Sequence, residues 1–398
     1  MTSLKPLARI LVVDDSAVMR SLLRSVVHTD KRLEVIGTAA DGVSALRAIE
    51  SLRPDLVLLD VEMPGMDGLS TLKQIKAGAR RIPVIMCSSL THRGARVTID
   101  ALASGAADYV AKPAGQASRE AAIQTLAHDL IPKIVALTAA PAHLLATPAP
   151  RSLIFGAMPQ PALPLPNLLA PRVAAAAPFP MAAGNPSVVV IGVSTGGPAA
   201  LDELLPALPA NFPIPVLVVQ HMPPLFTRLL AERLNERCAL HVLEPDSGEV
   251  IRPGAVYIAR GDWHLTVVGS DRQLAPPVNQ AVHMLRLTQD APENHCRPSV
   301  DVLFRTAVAA YGSRVLAVVL TGMGSDGLSG CRLVRECGGT VIVQDQATSA
   351  VWGMPGAVAQ AGLAHRILPL KDIAPEILRL AGRGQREAFE LRESAVSQ

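Results

Sequence analysis

The chain has 398 residues, a hydrophobic fraction of 49% and a formal net charge of +3 at pH 7. This length allows two or three domains, each with its own apolar core. The small net charge and the lack of a Lys/Arg run argue against nucleic-acid binding. Five cysteines without a C-x-x-C pair argue against a disulfide framework, and no signal-peptide core or long apolar span is present. We therefore expect a reduced, cytoplasmic protein that does not insert into membranes.

Short apolar segments alternate with amphipathic ones over the first third of the chain. Strands are predicted at 10–13, 33–39, 55–60, 82–88 and 108–112, and helices at about 16–28, 41–52, 67–77, 92–104 and 116–135. This alternation indicates an α/β domain over 8–136 with a doubly wound, five-stranded parallel sheet. Functional groups in such sheets gather at the carboxyl ends of the strands.

The composition changes abruptly over residues 137–186. The segment 141–186 holds 11 of the 33 prolines and only two charged residues, Arg151 and Arg172. It is typical of a semi-stiff Pro/Ala linker, either disordered or docked through its few larger apolar residues. Strand and helix patterns then return, and strands are predicted at 187–194, 214–221, 255–259, 264–268, 314–322 and 339–345. A second α/β domain with a parallel sheet is therefore predicted over 187–383.

Three aspartates of the first domain follow strands that should be neighbours. Asp14 and Asp15 come directly after the first strand, and Asp60 ends the third. Asp14 alone could be a helix cap, but carboxylates that meet at one sheet edge repel each other and require a cation. Oxygen ligands of this kind suit Mg²⁺. Ser88 and Lys112, at the ends of the fourth and fifth strands, can reach a phosphoryl group added at the same edge.

Polar residues also follow three strands of the second domain. Ser194 lies in a G-x-S-x-G turn between a strand and a helix, where a serine is exposed and helix N–H groups can face an oxyanion. His221 follows the next strand, and Asp326 lies in the turn after the strand at 314–322. A histidine there can accept the serine proton while the carboxylate orients the imidazole. The order Ser–His–Asp differs from that of the α/β-hydrolases.

A competing motif overlaps this group. Gly322–Gly327 reads G-x-G-x-x-G after a strand, and Asp345 ends the next strand, as in dinucleotide-binding domains. That interpretation assigns no function to Ser194 or His221. A titration with NAD(H) would distinguish a dinucleotide-binding domain from a domain with a Ser–His–Asp catalytic site.

The acidic residues, with Ser88 and Lys112, resemble the receiver domains of response regulators, which are flavodoxin-like. The resemblance implies that Asp60 is the phosphoacceptor and that Asp14, Asp15 and the backbone carbonyl of Glu62 complete an Mg²⁺ site. It also implies that Ser88, Tyr109 and Lys112 form the switch that responds to phosphorylation.

Ser-Thr-Gly-Gly at 194–197, Gln-His-Met-Pro-Pro at 220–224 and Leu-Thr-Gly-Met-Gly-Ser-Asp-Gly at 320–327 resemble the CheB family of chemotaxis protein-glutamate methylesterases. The resemblance implies that Ser194 is the nucleophile, His221 the general base and then acid, and Asp326 the orienting carboxylate. It places Thr195 in the active site and the Met323 N–H in the oxyanion hole, with no cofactor in the esterase domain. The segment Arg297–Asp301 resembles a family segment near the cleft, although Ser299 could simply cap a helix.

The expected function is a phosphorylation-activated serine hydrolase that removes methyl groups from glutamate methyl esters on methyl-accepting chemoreceptors. Methylesterases of this family can also deamidate receptor glutamines, and the sequence alone does not decide whether this chain does. The expected phosphodonor is a CheA-type histidine kinase, and the unphosphorylated receiver is expected to block the catalytic cleft. The alternative is a phosphorylation-gated adaptor without significant hydrolase activity.

Overall fold

The computed structural model describes residues 7–89, 91–113, 118–138, 185–269 and 282–382. Within these ranges the helices and strands belong to two parallel sheets, a small hairpin and the helices that cover them. The predicted linker at 137–186 lies almost wholly outside the described residues, and its limits stay predictions. None of the helices in the described ranges combines the length and apolarity that a bilayer crossing requires.

The first sheet has the strand order β2-β1-β3-β4-β5, and all of its pairs are parallel. Its elements are β1 (Ala8–Val13), α1 (Ala17–Val27), β2 (Leu33–Ala39), α2 (Gly42–Leu52), β3 (Leu56–Asp60), α3 (Gly68–Ala77), β4 (Val84–Ser88), α4 (His92–Ala103), β5 (Asp108–Ala111) and α5 (Arg119–Thr138). Helices α1 to α4 each begin after a side chain that accepts a hydrogen bond from a first-turn N–H, from Ser16, Asp41, Asp67 and Thr91. Such caps typically contribute about 1 kcal/mol each. The predicted doubly wound fold is confirmed.

The second sheet has seven parallel strands in the order β14-β13-β12-β6-β7-β9-β8. Its strands are β6 (Val188–Val193), β7 (Val216–Gln220), β8 (His241–Leu243), β9 (Ala255–Ile258), β12 (Val315–Val319), β13 (Thr340–Gln344) and β14 (Arg366–Leu368). The helices are α6 (Gly197–Leu204), α7 (Pro224–Arg237), α8 (Val300–Tyr311), α9 (Leu328–Glu336) and α10 (Met354–Gln360), and residues 370–382 are also helical. The central strands are completely buried, which explains their continuous apolar sequences.

The structure corrects one strand of this prediction and adds three. The strand predicted at 264–268 is β10 (His264–Gly269), but it pairs antiparallel with β11 (His283–Thr288) and lies outside the parallel sheet. Strands β8, β11 and β14 were not predicted. Two of them have only three residues, too few to display a period.

In both parallel sheets the strand order reverses next to the strand that comes first in the chain. The reversal falls between β1 and β3 in the first sheet and between β6 and β12 in the second. Crevices form outside the carboxyl ends of strands at such reversals. Asp14 and Asp60 lie there in the first sheet, and Ser194 follows β6 in the second, which positions the two candidate sites.

Candidate functional sites

The acidic site of the first domain brings together the three aspartates that were predicted to meet. The carboxylates of Asp14, Asp15 and Asp60 offer oxygen atoms that all lie within 4.8 Å of one another. Asp14 and Asp60 are buried, and Asp15 is exposed. The Lys112 ammonium lies 2.9 Å from Asp14 Oδ2 and 2.7 Å from Asp60 Oδ1. The site therefore concentrates more negative charge than its one lysine neutralises.

Electrostatics in this site favour a further cation. Burial raises the pKa of Asp60 above its ordinary value, and the Lys112 ammonium opposes this only in part. A buried carboxylate with a raised pKa is stabilised when a second positive charge is added. The donor set consists of hard carboxylate oxygens open to solvent at Asp15, which fits Mg²⁺. The Glu62 N–H donates to Asp60 Oδ1 at 3.3 Å, while the predicted use of the Glu62 carbonyl stays a prediction.

The two remaining residues of the predicted switch lie in neighbouring strands, Ser88 at the end of β4 and Tyr109 in β5. The buried Ser88 hydroxyl accepts a hydrogen bond from Thr98 of α4 at 2.6 Å. Tyr109 is only 7% exposed, because its ring stacks on Phe226 of α7 with centroids 4.4 Å apart. Tyr109 therefore links the edge strand of the first domain to a helix of the second.

The Ser194 turn is shaped by close backbone packing between β6 and β12. Ser194 N–H donates to the Thr321 carbonyl at 3.0 Å, and Gly197 N–H donates to the Ser194 carbonyl at 2.8 Å. Gly196 adopts φ of 80°, which glycine tolerates without strain. A Cβ at Gly322 would lie 2.9 Å from Ser194 Cβ. The G-x-S-x-G and G-x-G-x-x-G turns thus interlock, and glycines let the two loops approach.

His221 and Asp326 form the pair that the sequence predicted. His221 Nε2 lies 2.8 Å from Asp326 Oδ2, and both side chains are largely buried. Burial alone would lower the pKa of His221, but the hydrogen bond to Asp326 and the contact with Cys296 outweigh it and raise that pKa. Burial would raise the pKa of Asp326, but His221 and backbone N–H groups lower it. Asp326 is therefore a carboxylate that favours a positive charge on the imidazole.

Sequence reasoning missed most of the groups that hold Asp326. Five further donors converge on its two oxygens, at 2.7–3.1 Å: Asn294 Nδ2, Ser299 Oγ and the N–H groups of Val300, Asp301 and Gly327. Ser299 stands at the N-cap position of α8 but makes no side-chain cap hydrogen bond. Its hydroxyl binds Asp326 instead, so Ser299 begins α8 without acting as a side-chain cap. The N-terminus of α8 also favours the negative charge of Asp326.

One pocket is lined by Ser194, His221 and Met323, although hydrogen bonds do not join all of their reactive atoms. Within the described residues, the Ser194 hydroxyl makes no hydrogen bond with His221, whose Nδ1 lies 3.8 Å from Cys296 Sγ. The N–H groups of Thr195 and Met323 donate to no acceptor in the described part of the chain. Two unpaired N–H groups beside a serine can receive a developing oxyanion.

The first domain lies directly against this pocket. The Asp108 carboxylate accepts a hydrogen bond from Thr195 Oγ1 at 2.5 Å, and the Ala107 carbonyl accepts one from Gly196 N–H at 3.0 Å. Lys133 Nζ lies 3.6 Å from Asp108 Oδ1. The two residues that follow Ser194 are therefore bound to β5 and the turn before it.

Comparisons with known proteins find matches to both domains. Residues 189–377 match the family model described as CheB methylesterase, and residues 10–135 match that of the response regulator receiver domain. The chain is 49% identical over 380 residues to a protein named "Protein-glutamate methylesterase/protein-glutamine glutaminase" from a Nocardioides species, which covers 95% of this chain and 96% of that protein. It is 45% identical over 384 residues to a protein of the same name from Trichodesmium erythraeum, covering 95% and 100% of the two chains.

Among solved structures, the Thermotoga maritima CheB methylesterase catalytic domain is 44% identical, with a TM-score of 0.45, and the match covers 50% of this chain and 100% of that one. The extent of the sequence matches decides the assignment, because the full-length relatives are aligned over nearly their whole length. The chain belongs to the CheB methylesterase family and carries a response regulator receiver domain before its catalytic domain.

Proposed function

We propose that the protein hydrolyses glutamate methyl esters on methyl-accepting chemoreceptors and is activated by phosphorylation of Asp60. The observation that carries the proposal is the His221–Asp326 pair, 2.8 Å apart, in the pocket that Ser194 also lines. An adaptor needs no such pair, and the named relatives favour the hydrolase over the adaptor alternative. The proposed partners include no nucleic acid, and a cytoplasmic location is part of the proposal.

The proposed reaction is acyl transfer in two halves. Ser194 Oγ attacks the ester carbonyl while its proton passes to His221 Nδ1, the ring nitrogen that Asp326 does not engage. His221 then protonates the departing methoxide, so methanol leaves and an acyl-enzyme remains. Water attacks that ester, gives its proton to His221 and releases the glutamate. A receptor glutamine would follow the same route with ammonia as the leaving group.

The N–H groups of Thr195 and Met323 are proposed as the oxyanion hole. Neither has an acceptor in the described ranges, so neither must break a hydrogen bond when the carbonyl oxygen becomes negative. Losing one such donor typically costs about 10²–10³ in rate. Thr195 adds a hydroxyl beside the nucleophile. While the receiver is docked, this hydroxyl donates a hydrogen bond to the Asp108 carboxylate.

Asp14, Asp15, Asp60 and the Glu62 carbonyl are proposed to hold Mg²⁺, with a CheA-type histidine kinase as the phosphodonor. When bound, the ion neutralises charge on the incoming phosphoryl group. Lys112 already contacts Asp60 and can bind the same phosphoryl oxygens. The Ser88 hydroxyl, which accepts from Thr98 and donates to the Ser89 carbonyl, can turn from Ser89 to donate to the phosphoryl group, which would disturb the neighbouring Tyr109.

Asp60→Asn is expected to abolish activation because the amide cannot form an acyl phosphate. Wild-type protein incubated with Mg²⁺ and a small acyl-phosphate donor should gain one phosphoryl group by intact mass and release methanol faster. The variant should gain neither mass nor rate. Asp67→Asn is the matched control, since asparagine caps α3 as well as aspartate does. Activation that survives in Asp60→Asn would contradict the assignment.

Docking of the receiver explains how the site can be held inactive. The Asp108 carboxylate accepts a hydrogen bond from the Thr195 hydroxyl, and the Ala107 carbonyl accepts one from the Gly196 N–H. The Tyr109 ring stacks on Phe226. These contacts cover the nucleophile turn with a carboxylate and a carbonyl, where a substrate acyl group would otherwise lie. A shift of Tyr109 after phosphorylation removes its stacking on α7 and weakens the docked state.

Asp100→Arg is expected to raise the basal rate several-fold. Asp100 of α4 pairs with Arg233 of α7 at 2.5 Å, and its reversal places two guanidinium groups together across the domain contact. Methanol release without phosphodonor measures the effect, and the further gain on adding donor should shrink. Glu120→Arg, an exposed reversal of equal charge in α5, is the control. An unchanged or lower basal rate in Asp100→Arg would argue against autoinhibition.

A further inference from the structure

Cys296 lies in the catalytic pocket but has no part in the proposed hydrolysis. Its Sγ is 3.8 Å from His221 Nδ1, and its side chain is partly exposed. We propose that His221 Nδ1 and Cys296 Sγ bind a soft divalent cation, with Zn²⁺ as the natural case, and that the bound ion inhibits the esterase. The inhibition, but not the binding, rests on the proposed role of His221 as the base.

The separation of the two ligand atoms suits this metal. Zinc binds histidine nitrogen at about 2.0–2.1 Å and thiolate sulfur at about 2.3 Å, in tetrahedral geometry. Those bond lengths place the nitrogen and sulfur about 3.6 Å apart. The observed 3.8 Å therefore needs only a small side-chain adjustment.

Asp326 prepares His221 as a ligand. It binds Nε2, so the ring keeps a proton there, and Nδ1, which lies on the side of Cys296, is the nitrogen that can lose its proton and bind a metal. A carboxylate behind a ligating histidine recurs in zinc sites because it fixes the ring and increases its basicity. Ligand atoms of His221, Cys296 and Asp326 all lie within 4.8 Å of one another. The open side of the pocket leaves the remaining positions of the ion to water.

Binding and catalysis would compete for the same lone pair. The Zn–N and Zn–S bonds form as the thiol proton of Cys296, and the Nδ1 proton of His221 where the ring is charged, pass to solvent. The Nδ1 lone pair is then unable to accept the proton of Ser194. The acidic site around Asp60 has only hard oxygen donors and is filled by excess Mg²⁺, whereas a thiolate selects zinc or cadmium.

Binding is tested on the full-length, unphosphorylated protein with Cd²⁺ as the probe and excess Mg²⁺ present. We expect one equivalent of Cd²⁺ to give the ultraviolet sulfur-to-cadmium charge-transfer absorption. Cys296→Ser should remove it, and His221→Gln should weaken the affinity at least about tenfold. The control Cys337→Ser changes an exposed cysteine at the end of α9 and should change nothing. A band that persists in Cys296→Ser would overturn the site.

Inhibition is tested by methanol release with increasing Zn²⁺. The half-inhibiting concentration should rise at least about tenfold in Cys296→Ser, measured against that variant's own rate without zinc. Cadmium bound at Cys296 without zinc inhibition of an active enzyme would overturn the ligation of His221. Ser194→Ala should still bind Cd²⁺. A protein that binds Cd²⁺ but never hydrolyses methyl esters would refute the proposed function and leave the metal site standing.

Discussion

Ser194→Ala is expected to reduce the release of methanol from methylated receptors by about 10⁴-fold or more. Loss of a serine nucleophile removes the covalent route altogether, and in other serine hydrolases it costs about as much as loss of the whole triad. Receptors carrying tritiated methyl esters, incubated with phosphorylated protein, provide the measurement. The oxyanion donors remain in the variant, so a small residual rate above water is expected.

Two controls make this result specific to the nucleophile. Ser313→Ala changes an exposed serine in the turn before β12 and should keep the wild-type rate. An activated-ester probe that labels serine hydroxyls should react with wild-type protein and not with Ser194→Ala. Full activity in Ser194→Ala would refute acyl transfer through this residue and would return the adaptor alternative to consideration.

The acidic site of the first domain and the His221–Asp326 pair of the second domain could be predicted from the sequence, because each depends on local patterns. Asp60, His221 and Ser194 follow buried apolar strands, and the ends of parallel strands meet at one edge whatever their separation in sequence. The strand order that brings β1 beside β3, and β6 beside both β7 and β12, then completes the geometry.

The remaining features depend on contacts that no local pattern records. Asn294 and Ser299 reach Asp326 across 32 and 27 residues of chain, from a segment whose sequence resembles an ordinary helix start. The stacking of Tyr109 on Phe226 joins two domains that the sequence presents separately. Cys296 resembles an isolated cysteine until folding places it at the free nitrogen of His221.

Asp326→Asn is expected to lower the maximal rate by about 10⁴-fold, the size of effect seen when a triad aspartate becomes an amide. The amide no longer stabilises the imidazolium that forms as Ser194 attacks. It can also present an N–H to Nε2, which favours the wrong tautomer. Of the groups that hold His221, Asp326 is the only carboxylate in hydrogen-bond contact with it within the described residues.

The pH dependence separates this electrostatic role from simple structural damage. His221 must be neutral to act as the base, so the rate rises with pH through its pKa. Because Asp326 raises that pKa, the acidic limb of kcat/KM in the wild type should lie above the ordinary histidine value of about 6.5. Asp326→Asn removes the negative charge, lowers the pKa of His221 and should move the limb to lower pH.

Asp262→Asn provides the matched control. Asp262 lines the same pocket but binds Arg297 rather than His221, and its left-handed backbone conformation suits asparagine. The acidic limb of kcat/KM in Asp262→Asn should stay at the wild-type pH. Thermal unfolding should confirm that both variants are folded. A folded Asp326→Asn enzyme with a limb at the wild-type pH would contradict the proposal that Asp326 sets the charge of His221. If the acidic limb of kcat/KM moves to lower pH in Asp326→Asn but not in Asp262→Asn, the slow rate of Asp326→Asn follows from lost stabilisation of the imidazolium.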